Sequence, residues 1–238
     1  VLRVLMDLLP SNHGYRAYLV PGTDTMTGQN VGILTKIDPY RNLIRTDKRK
    51  RYPVKGSTGN IVSLETTFKR KKRKSMGVSK HYLTHFRIGS LKILLAGAHF
   101  IAHPNDKSRC SRREAQAAVL AEFILNESTL HGAEIIVTGD FNDHDRAVVG
   151  ANGAIPLSSV LEILKNGANL QSAVSLIPDA ISRFSSWHDI NGNCIDDGRT
   201  EHSLIDHVLV SPSLASRISS VWIDHNTTSS CFKPMSDH

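Results

Sequence analysis

The sequence predicts an α+β protein in which helices pack outside a mixed or antiparallel β-sheet. Three observations favour this class: strands outnumber helices, several strands are joined by hairpins, and neither internal repeats nor an interdomain linker interrupts the chain. The 238 residues are 40% hydrophobic and 21% charged, a composition typical of folded globular proteins and not of disordered chains or coiled coils. We therefore expect one domain over residues 1–238.

The individual elements can be assigned in chain order from apolar periodicity and turn residues. Helical spacing predicts helices over residues 1–9, 111–126 and 159–167, and the last two begin with capping-box patterns at Ser111 and Ser159. Gly89 and Ser90 form the turn of a predicted hairpin. Alternating or short apolar runs predict strands over residues 16–20, 30–36, 60–68, 81–88, 91–98, 134–138, 203–210 and 217–224.

The two ends of the sequence suggest that a short piece is missing from each. The helix that begins at Val1 has no capping residue before it, and the sequence closes on the polar residues Ser236, Asp237 and His238. Within the given residues we expect neither a signal peptide nor a membrane span, because no window approaches the roughly 18 uninterrupted apolar residues that a span needs.

Positive charge is concentrated in one part of the chain. The formal net charge is +7, and residues 36–74 contain 14 Lys or Arg against 3 Asp or Glu. This segment fits a polyanionic partner such as nucleic acid, an anionic membrane surface or a phosphorylated substrate, but a solvated basic loop has the same composition. The run 69–74 resembles a nuclear localisation signal, whereas two glycosylation sequons and the pair Cys194 and Cys231 favour secretion, so the compartment stays open.

Common catalytic signatures are absent from the sequence, which has no P-loop, dinucleotide fingerprint, zincin motif or nucleophile elbow. Instead, polar residues stand at the ends of apolar strands, namely His99, Asp140, Asn142, Asp206 and His207. An ionisable group beside a buried strand costs free energy unless it is paired or binds a metal. Each residue alone has a structural explanation, as a hydrogen-bonded histidine, a Gly-Asp turn or a paired polar side chain. Only their combination indicates chemistry.

Four short motifs occur in an order similar to that of the endonuclease/exonuclease/phosphatase superfamily, which has the deoxyribonuclease I-like fold. The NVGILTK strand at residues 30–36 and the helix start at residues 112–117 also resemble this superfamily. The resemblance spans nearly the whole chain and implies a four-layer α/β sandwich, in which two mixed β-sheets pack face to face and helices flank them. The motifs are Gly97-Ala98-His99-Phe100, Gly139-Asp140-Phe141-Asn142, Ile205-Asp206-His207 and Ser236-Asp237-His238.

The resemblance also implies a phosphoesterase that depends on a divalent metal ion. Asp140, Asn142 and Asp237 would lie around Mg²⁺ or Mn²⁺, because hard oxygen ligands suit these ions. His238 would activate the attacking water, and Asp206 would orient the His238 ring and stabilise its charged form.

His99 and Asn142 are expected to donate to the phosphoryl oxygens as charge builds in the transition state. The sequence departs from the superfamily pattern where a metal-binding Glu and an Asn are expected before the first helix. We predict that the gene encodes this Glu upstream of the given residues. Gln29 and Asn30 stand where some nucleases of the superfamily have a Glu that partners the histidine.

A nuclease is the expected function, because the basic segment fits a nucleic-acid backbone. Few aromatic residues interleave with that segment, so base stacking has little support. Two alternatives stay open: a phospholipid or phosphoinositide phosphoesterase, similar to sphingomyelinases or 5-phosphatases and acting on an anionic lipid headgroup, and a non-catalytic binding module. We expect a monomer. The candidate substrate contacts are Asn30, Arg113, Lys69, Arg70, Lys71 and Lys72.

Overall fold

A five-stranded mixed sheet is the centre of the structure, a computed structural model that describes residues 2–9, 13–54 and 74–225. Within these residues, three two-stranded sheets and two 3₁₀ turns accompany it. The helices are α1 (Leu2–Leu8), α2 (Lys107–His131), α3 (Val160–Ala168) and α4 (Pro212–Ala215). The strands are β1 (Arg16–Leu19), β2 (Gly32–Thr35), β3 (Lys50–Arg51), β4 (Ser75–Met76), β5 (Lys80–Ile88), β6 (Leu91–His99), β7 (Glu134–Asp140), β8 (Gln171–Ser172), β9 (Ser186–Trp187), β10 (His202–Ser203) and β11 (Asp206–Val210).

The strand order of the central sheet is β5-β6-β7-β11-β8. β5 and β6 form the predicted antiparallel hairpin, and Gly89 at its turn has a φ of 60°. β6 and β7 are parallel, with helix α2 as the crossover between them, whereas β11 runs antiparallel to both β7 and β8. The sheet is therefore mixed, as predicted.

One face of the central sheet forms the main hydrophobic core with helices α2 and α3. Leu94, Val137 and Leu209 come from three adjacent strands and are completely buried, as are Leu120 of α2 and Leu164 of α3. Because side chains alternate along a strand, the residues next to these project from the opposite face of the sheet. This pattern confirms the predicted α+β class with helices outside the sheet.

Helix α2 begins four residues earlier than the capping pattern at Ser111 predicts. Asp106 is the N-cap, and its carboxylate accepts a hydrogen bond from the backbone N–H of Ser108 at 2.8 Å. The carboxylate of Glu114 is used elsewhere, because it accepts the backbone N–H of Ser159 at 3.0 Å. α3 begins at the predicted place, although Ser159 makes no side-chain capping bond.

Several strand predictions need correction. The strand predicted over 203–210 is two strands, β10 and β11, separated by Leu204 and Ile205, and residues 217–224 contain no strand. Val221 and Ile223 instead pack against a second cluster of buried apolar side chains. The strand predicted over 60–68 lies outside the described residues. Across the described parts of the chain, no helix has the length and apolar character needed to cross a membrane.

Candidate active site

Four ionisable residues form a row across one end of the central sheet. In the strand register Lys80 of β5 lies opposite His99 of β6, His99 opposite Asp140 of β7, and Asp140 opposite Asp206 of β11. Residues directly opposite each other project from the same face of a sheet. This face is turned away from α2 and α3, since the neighbouring Ala98 belongs to the core on the helix side.

His99 and Asn142 both contact Asp140 directly. The Nε2 atom of His99 lies 3.4 Å from Oδ2 of Asp140. Asn142 donates two hydrogen bonds of 2.8 Å to the same carboxylate, one from its backbone N–H to Oδ1 and one from Nδ2 to Oδ2. The backbone of Asn142 has a φ of 49°, a left-handed conformation that asparagine adopts more readily than most residues. The turn after β7 therefore folds back onto the carboxylate that ends the strand.

Gly139 allows β7 to approach β6 closely at this point. Its φ is 150°, and a Cβ atom placed there would lie 1.9 Å from the carbonyl oxygen of Ala98. After the close approach, the N–H of Phe100 donates to the carbonyl of Asp140 at 2.9 Å, and the rings of Phe100 and Phe141 pack with centroids 5.2 Å apart. Both phenylalanines are fully buried and anchor the ends of the two strands beneath the polar row.

Asp206 is held by the segment that precedes β9. The hydroxyl of Ser185 donates to Oδ2 of Asp206 at 2.8 Å, and its oxygen accepts the backbone N–H of Asp206 at 3.0 Å and that of Ile205 at 3.2 Å. Ser185 accepts these two N–H groups at the break between β10 and β11, where a single continuous strand was predicted. The carboxylate is thereby oriented at the start of β11.

Lys80 is a residue of the row that the sequence analysis did not identify. Its side chain is only 10% exposed, and Nζ donates to Oε1 of Gln29 at 3.0 Å and lies 3.7 Å from Oδ2 of Asp24. Gln29 thus contacts this lysine, in the region where the superfamily resemblance implies a histidine partner. The sequence does contain a signal for Lys80. Counting residues outward from the predicted hairpin turn at Gly89 and Ser90 places Lys80 opposite His99.

Arg113 lies in the protein interior, where it cannot contact substrate. Its side chain is fully buried, and NH1 and NH2 donate to the carbonyls of His103 at 2.8 Å and Pro104 at 3.0 Å. Its Nε lies 3.8 Å from the carboxylate of Asp143, which also accepts a hydrogen bond from Ser158. Burial raises the pKa of Asp143 to about 6, partly offset by these two partners. Arg113 therefore supports the loops behind the row, which corrects its assignment as a substrate contact.

The described part of the basic segment is largely engaged in intramolecular contacts. Arg45 donates to the backbone carbonyls of Pro21 and Ser79, each at 2.9 Å. Lys48 and Lys50 both pair with Glu122 of α2, at 3.3 and 2.7 Å. These cations stabilise the fold as well as carrying charge, which the composition alone did not indicate. The predicted contacts at Lys69, Arg70, Lys71 and Lys72 lie outside the described residues.

The remaining predicted site residues lie either on the surface or beyond residue 225, outside the described part of the chain. Asn30 is exposed, and its Oδ1 accepts the backbone N–H of Gly22 while Nδ2 donates to the carbonyl of Gly28. Asp237 and His238 lie outside the described residues. Of the described cysteines, Cys110 is a buried free thiol and Cys194 is disulfide-bonded.

The described donor set fits a hard divalent cation. Asp140 supplies a carboxylate whose side chain is 14% exposed, and each of its oxygens keeps acceptor capacity beyond the bonds from Asn142. With Nδ2 of Asn142 donating to Asp140 and to the carbonyl of Phe100 at 3.3 Å, the amide oxygen is the atom left to act as a ligand. Oxygen donors of this kind are those that Mg²⁺ and Mn²⁺ prefer.

The sequence matches no protein-family model and no curated protein. The fold, however, is similar to that of several solved structures. One is a 3′-5′ exonuclease, NExo, from Neisseria meningitidis, with 17% identity and a TM-score of 0.55 over 100% of this chain and 80% of that chain. Another is the 3′ phosphatase NExo from Neisseria bound to a product DNA hairpin, with 16% identity and a TM-score of 0.53 over 95% and 76% of the two chains.

A third similar structure is an endonuclease/exonuclease/phosphatase family protein from Leptotrichia buccalis, with 14% identity and a TM-score of 0.50 over 88% of this chain and 64% of that chain. At such low identities the comparison concerns the fold, which is the one that the sequence motifs predict. The chain therefore has the deoxyribonuclease I-like fold that these structures share.

Proposed function

We propose that the protein is a divalent-metal-dependent phosphodiesterase that cleaves nucleic acid by water attack. The observation that carries the proposal is the row of Lys80, His99, Asp140 and Asp206 on adjacent strands. Two cationic or proton-donating groups and two carboxylates side by side are the groups that a phosphate ester and a bound cation require. The similarity in fold to structures of a nuclease and a 3′ phosphatase supports the same chemistry.

Asp140 and Asn142, together with Asp237, would hold Mg²⁺ or Mn²⁺. A bound cation of this kind would neutralise the charge that develops on the phosphoryl oxygens. The hydrogen bonds from Asn142 keep the Asp140 carboxylate in one orientation, so the ligand is preorganised. Asn30 is exposed in the loop before β2 and is retained as a proposed substrate contact.

His99 is proposed to donate a hydrogen bond to a phosphoryl oxygen. The Nε2 atom of His99 lies 3.4 Å from the Asp140 carboxylate, so the histidine would reach a phosphoryl group held at that carboxylate. Lys80 on the neighbouring strand adds a positive charge at the same end of the sheet. Asp206 is proposed to orient the ring of His238, the proposed base that takes the proton from the attacking water.

Nucleic acid is the proposed substrate because residues 36–74 carry a large excess of positive charge. The pairing of Lys48 and Lys50 with Glu122 reduces the charge that the described part of this segment presents. A phospholipid headgroup would use the same catalytic row, so the substrate has to be decided by assay.

The test is cleavage of plasmid DNA, RNA and sphingomyelin by the full chain, with Mg²⁺ or with EDTA. We expect metal-dependent cleavage of nucleic acid that falls by at least about 100-fold in Asp140→Asn and in His99→Gln, the range for losing a catalytic donor or acid. Exposed Asp7 and His13 offer matched controls, and Asp7→Asn and His13→Gln should retain full activity.

Three results would contradict the proposal in different ways. Turnover of sphingomyelin alone would replace nucleic acid by a lipid substrate. Cleavage that persists in EDTA would refute metal dependence. Full activity in a folded Asp140→Asn protein would show that the row is not catalytic.

A further inference from the structure

A group of three side chains with potential metal-ligand atoms lies on the other face of the central sheet. His85 of β5 and Glu127 and His131 of α2 each offer one ligand atom, and these three atoms all lie within 4.8 Å of one another. His85 is five residues from Lys80 along β5, which is about 17 Å at the rise of an extended strand. Because side chains alternate along a strand, residues five apart project from opposite faces of the sheet. The group at His85 is therefore remote from the row at His99.

His85 has an unsatisfied polar atom. The residue is 1% exposed, and its buried Nε2 has no hydrogen-bond partner. The rings of His85 and His131 meet edge to face with centroids 4.8 Å apart, and Nε2 of His131 lies 3.5 Å from Oε2 of Glu127. A buried nitrogen left without a partner is costly, and a buried imidazole beside a second imidazole and a carboxylate is typical of metal ligands.

We propose that His85, Glu127 and His131 form a second metal site that binds a transition-metal ion such as Zn²⁺. Two imidazoles and one carboxylate suit Zn²⁺ or Co²⁺, whereas Mg²⁺ prefers oxygen donors alone. Ligand atoms around tetrahedral Zn²⁺ are roughly 3.4 Å apart. Rotation of the partly exposed Glu127 and His131 side chains by little more than ~1 Å at their tips would bring the three atoms to that spacing.

The position of the three residues in the fold favours binding. Glu127 and His131 are one helical turn apart on α2, so their side chains lie on the same face of the helix. Burial, the His131 ring and the Arg41 guanidinium lower the pKa of His85 to about 4, so the ring is neutral and its lone pair is available at pH 7. The Arg41 charge opposes a cation, and the Glu127 carboxylate offsets it.

An entry path to the site is present. A cleft of about 400 Å³ opens beside the group and is lined by Tyr40, Arg41, Asn42, Ile44, His85 and Glu127. Two of the three ligands line this cleft, so an ion can reach them from solvent and keep a water or other ligand in a fourth position. A bound ion would tie β5 to the last turn of α2.

Titration of the full chain with Co²⁺ tests the proposal without using activity. Tetrahedral Co²⁺ with nitrogen ligands absorbs visible light strongly, whereas Co²⁺ in an oxygen-ligand octahedral site absorbs weakly. We expect strong bands that saturate at one equivalent, that Zn²⁺ abolishes, and that persist in Asp140→Asn. His131→Gln and Glu127→Gln should each weaken Co²⁺ binding by at least about tenfold, and His13→Gln should not.

The partly exposed positions of Glu127 and His131 make these variants preferable to substitution of the buried His85, and circular dichroism would confirm their folding. The proposal is overturned if the chain shows no strong bands at millimolar Co²⁺. It is equally overturned if the bands are unchanged in folded His131→Gln protein. Loss of the bands in Asp140→Asn would also overturn the proposal, because it would assign them to the active site. None of these three outcomes decides the cleavage assay.

Discussion

Acidification should destabilise the protein through His81, a buried histidine on β5. The side chain is 2% exposed, and its Nε2 accepts a hydrogen bond from the backbone N–H of Thr46 at 3.0 Å. Burial, and next the positive charge of Arg45, lower its pKa from 6.5 to about 4. Protonation would remove the acceptor and place a charge in the core, so the folded state retains the neutral ring.

The size of the effect follows from the difference between the folded and unfolded pKa. Because the folded pKa is depressed, the stability contribution is present above pH 6.5 and is lost as pH falls toward 4. At pH 5 the unfolded chain binds nearly one more proton at this site than the folded chain does. The corresponding loss in the free energy of unfolding is about 2 kcal/mol.

Urea denaturation of the wild type and of His81→Gln at pH 7 and pH 5 measures this contribution. The Gln amide oxygen can accept the Thr46 N–H but does not titrate, so the variant should lose about 2 kcal/mol less than the wild type over this interval. His13→Gln, a change at an exposed histidine, should behave as the wild type. Equal losses for the wild type and His81→Gln would refute the reasoning.

Two further substitutions, each with a matched control, test the packing around the polar row. Gly139→Ala places a methyl group against the carbonyl of Ala98 and should cost more than about 3 kcal/mol in thermal denaturation, whereas Gly89→Ala, with a positive φ but open space, should cost about 1 kcal/mol. Arg113→Met removes the cation beside the buried Asp143 carboxylate and a donor from each of two carbonyls, and it should cost about 3–5 kcal/mol in urea denaturation. Arg112→Met, at a partly exposed position, should cost less than about 1 kcal/mol. A cost at Gly139 no larger than at Gly89, or equal costs at the two arginines, would contradict these assignments.

Local sequence patterns were sufficient to predict the α+β class. They were also sufficient to place His99, Asp140 and Asp206 at strand ends. Each residue stands where an apolar strand begins or ends, and strand ends are marked by a change in hydropathy. Their alignment could not be predicted, since the register joins strands that are far apart in sequence. Lys80 was missed for this reason: its place in the row depends on the residue opposite it.

Two predictions were wrong because a side chain in a local sequence pattern bonds to a distant part of the chain. The Ser111 capping pattern was wrong because Asp106 caps the helix and Glu114 bonds to the backbone at Ser159. Arg113 was predicted to contact substrate, but its guanidinium donates to carbonyls of the loop after β6. Neither outcome can be read from the neighbouring residues, because the deciding partner comes from tertiary packing.

The register of the polar row determines which changes in chain length the protein can tolerate. The residues of the row are spread over more than half of the chain, and the pairing of β5, β6, β7 and β11 aligns them. Lengthening a connecting loop leaves the four side chains aligned. Deleting one residue inside β7 would turn Asp140 into the hydrophobic core and bring an apolar neighbour out in its place. Insertions should therefore be tolerated better between the strands of this sheet than within them, where a shift in register would disrupt folding and the row together.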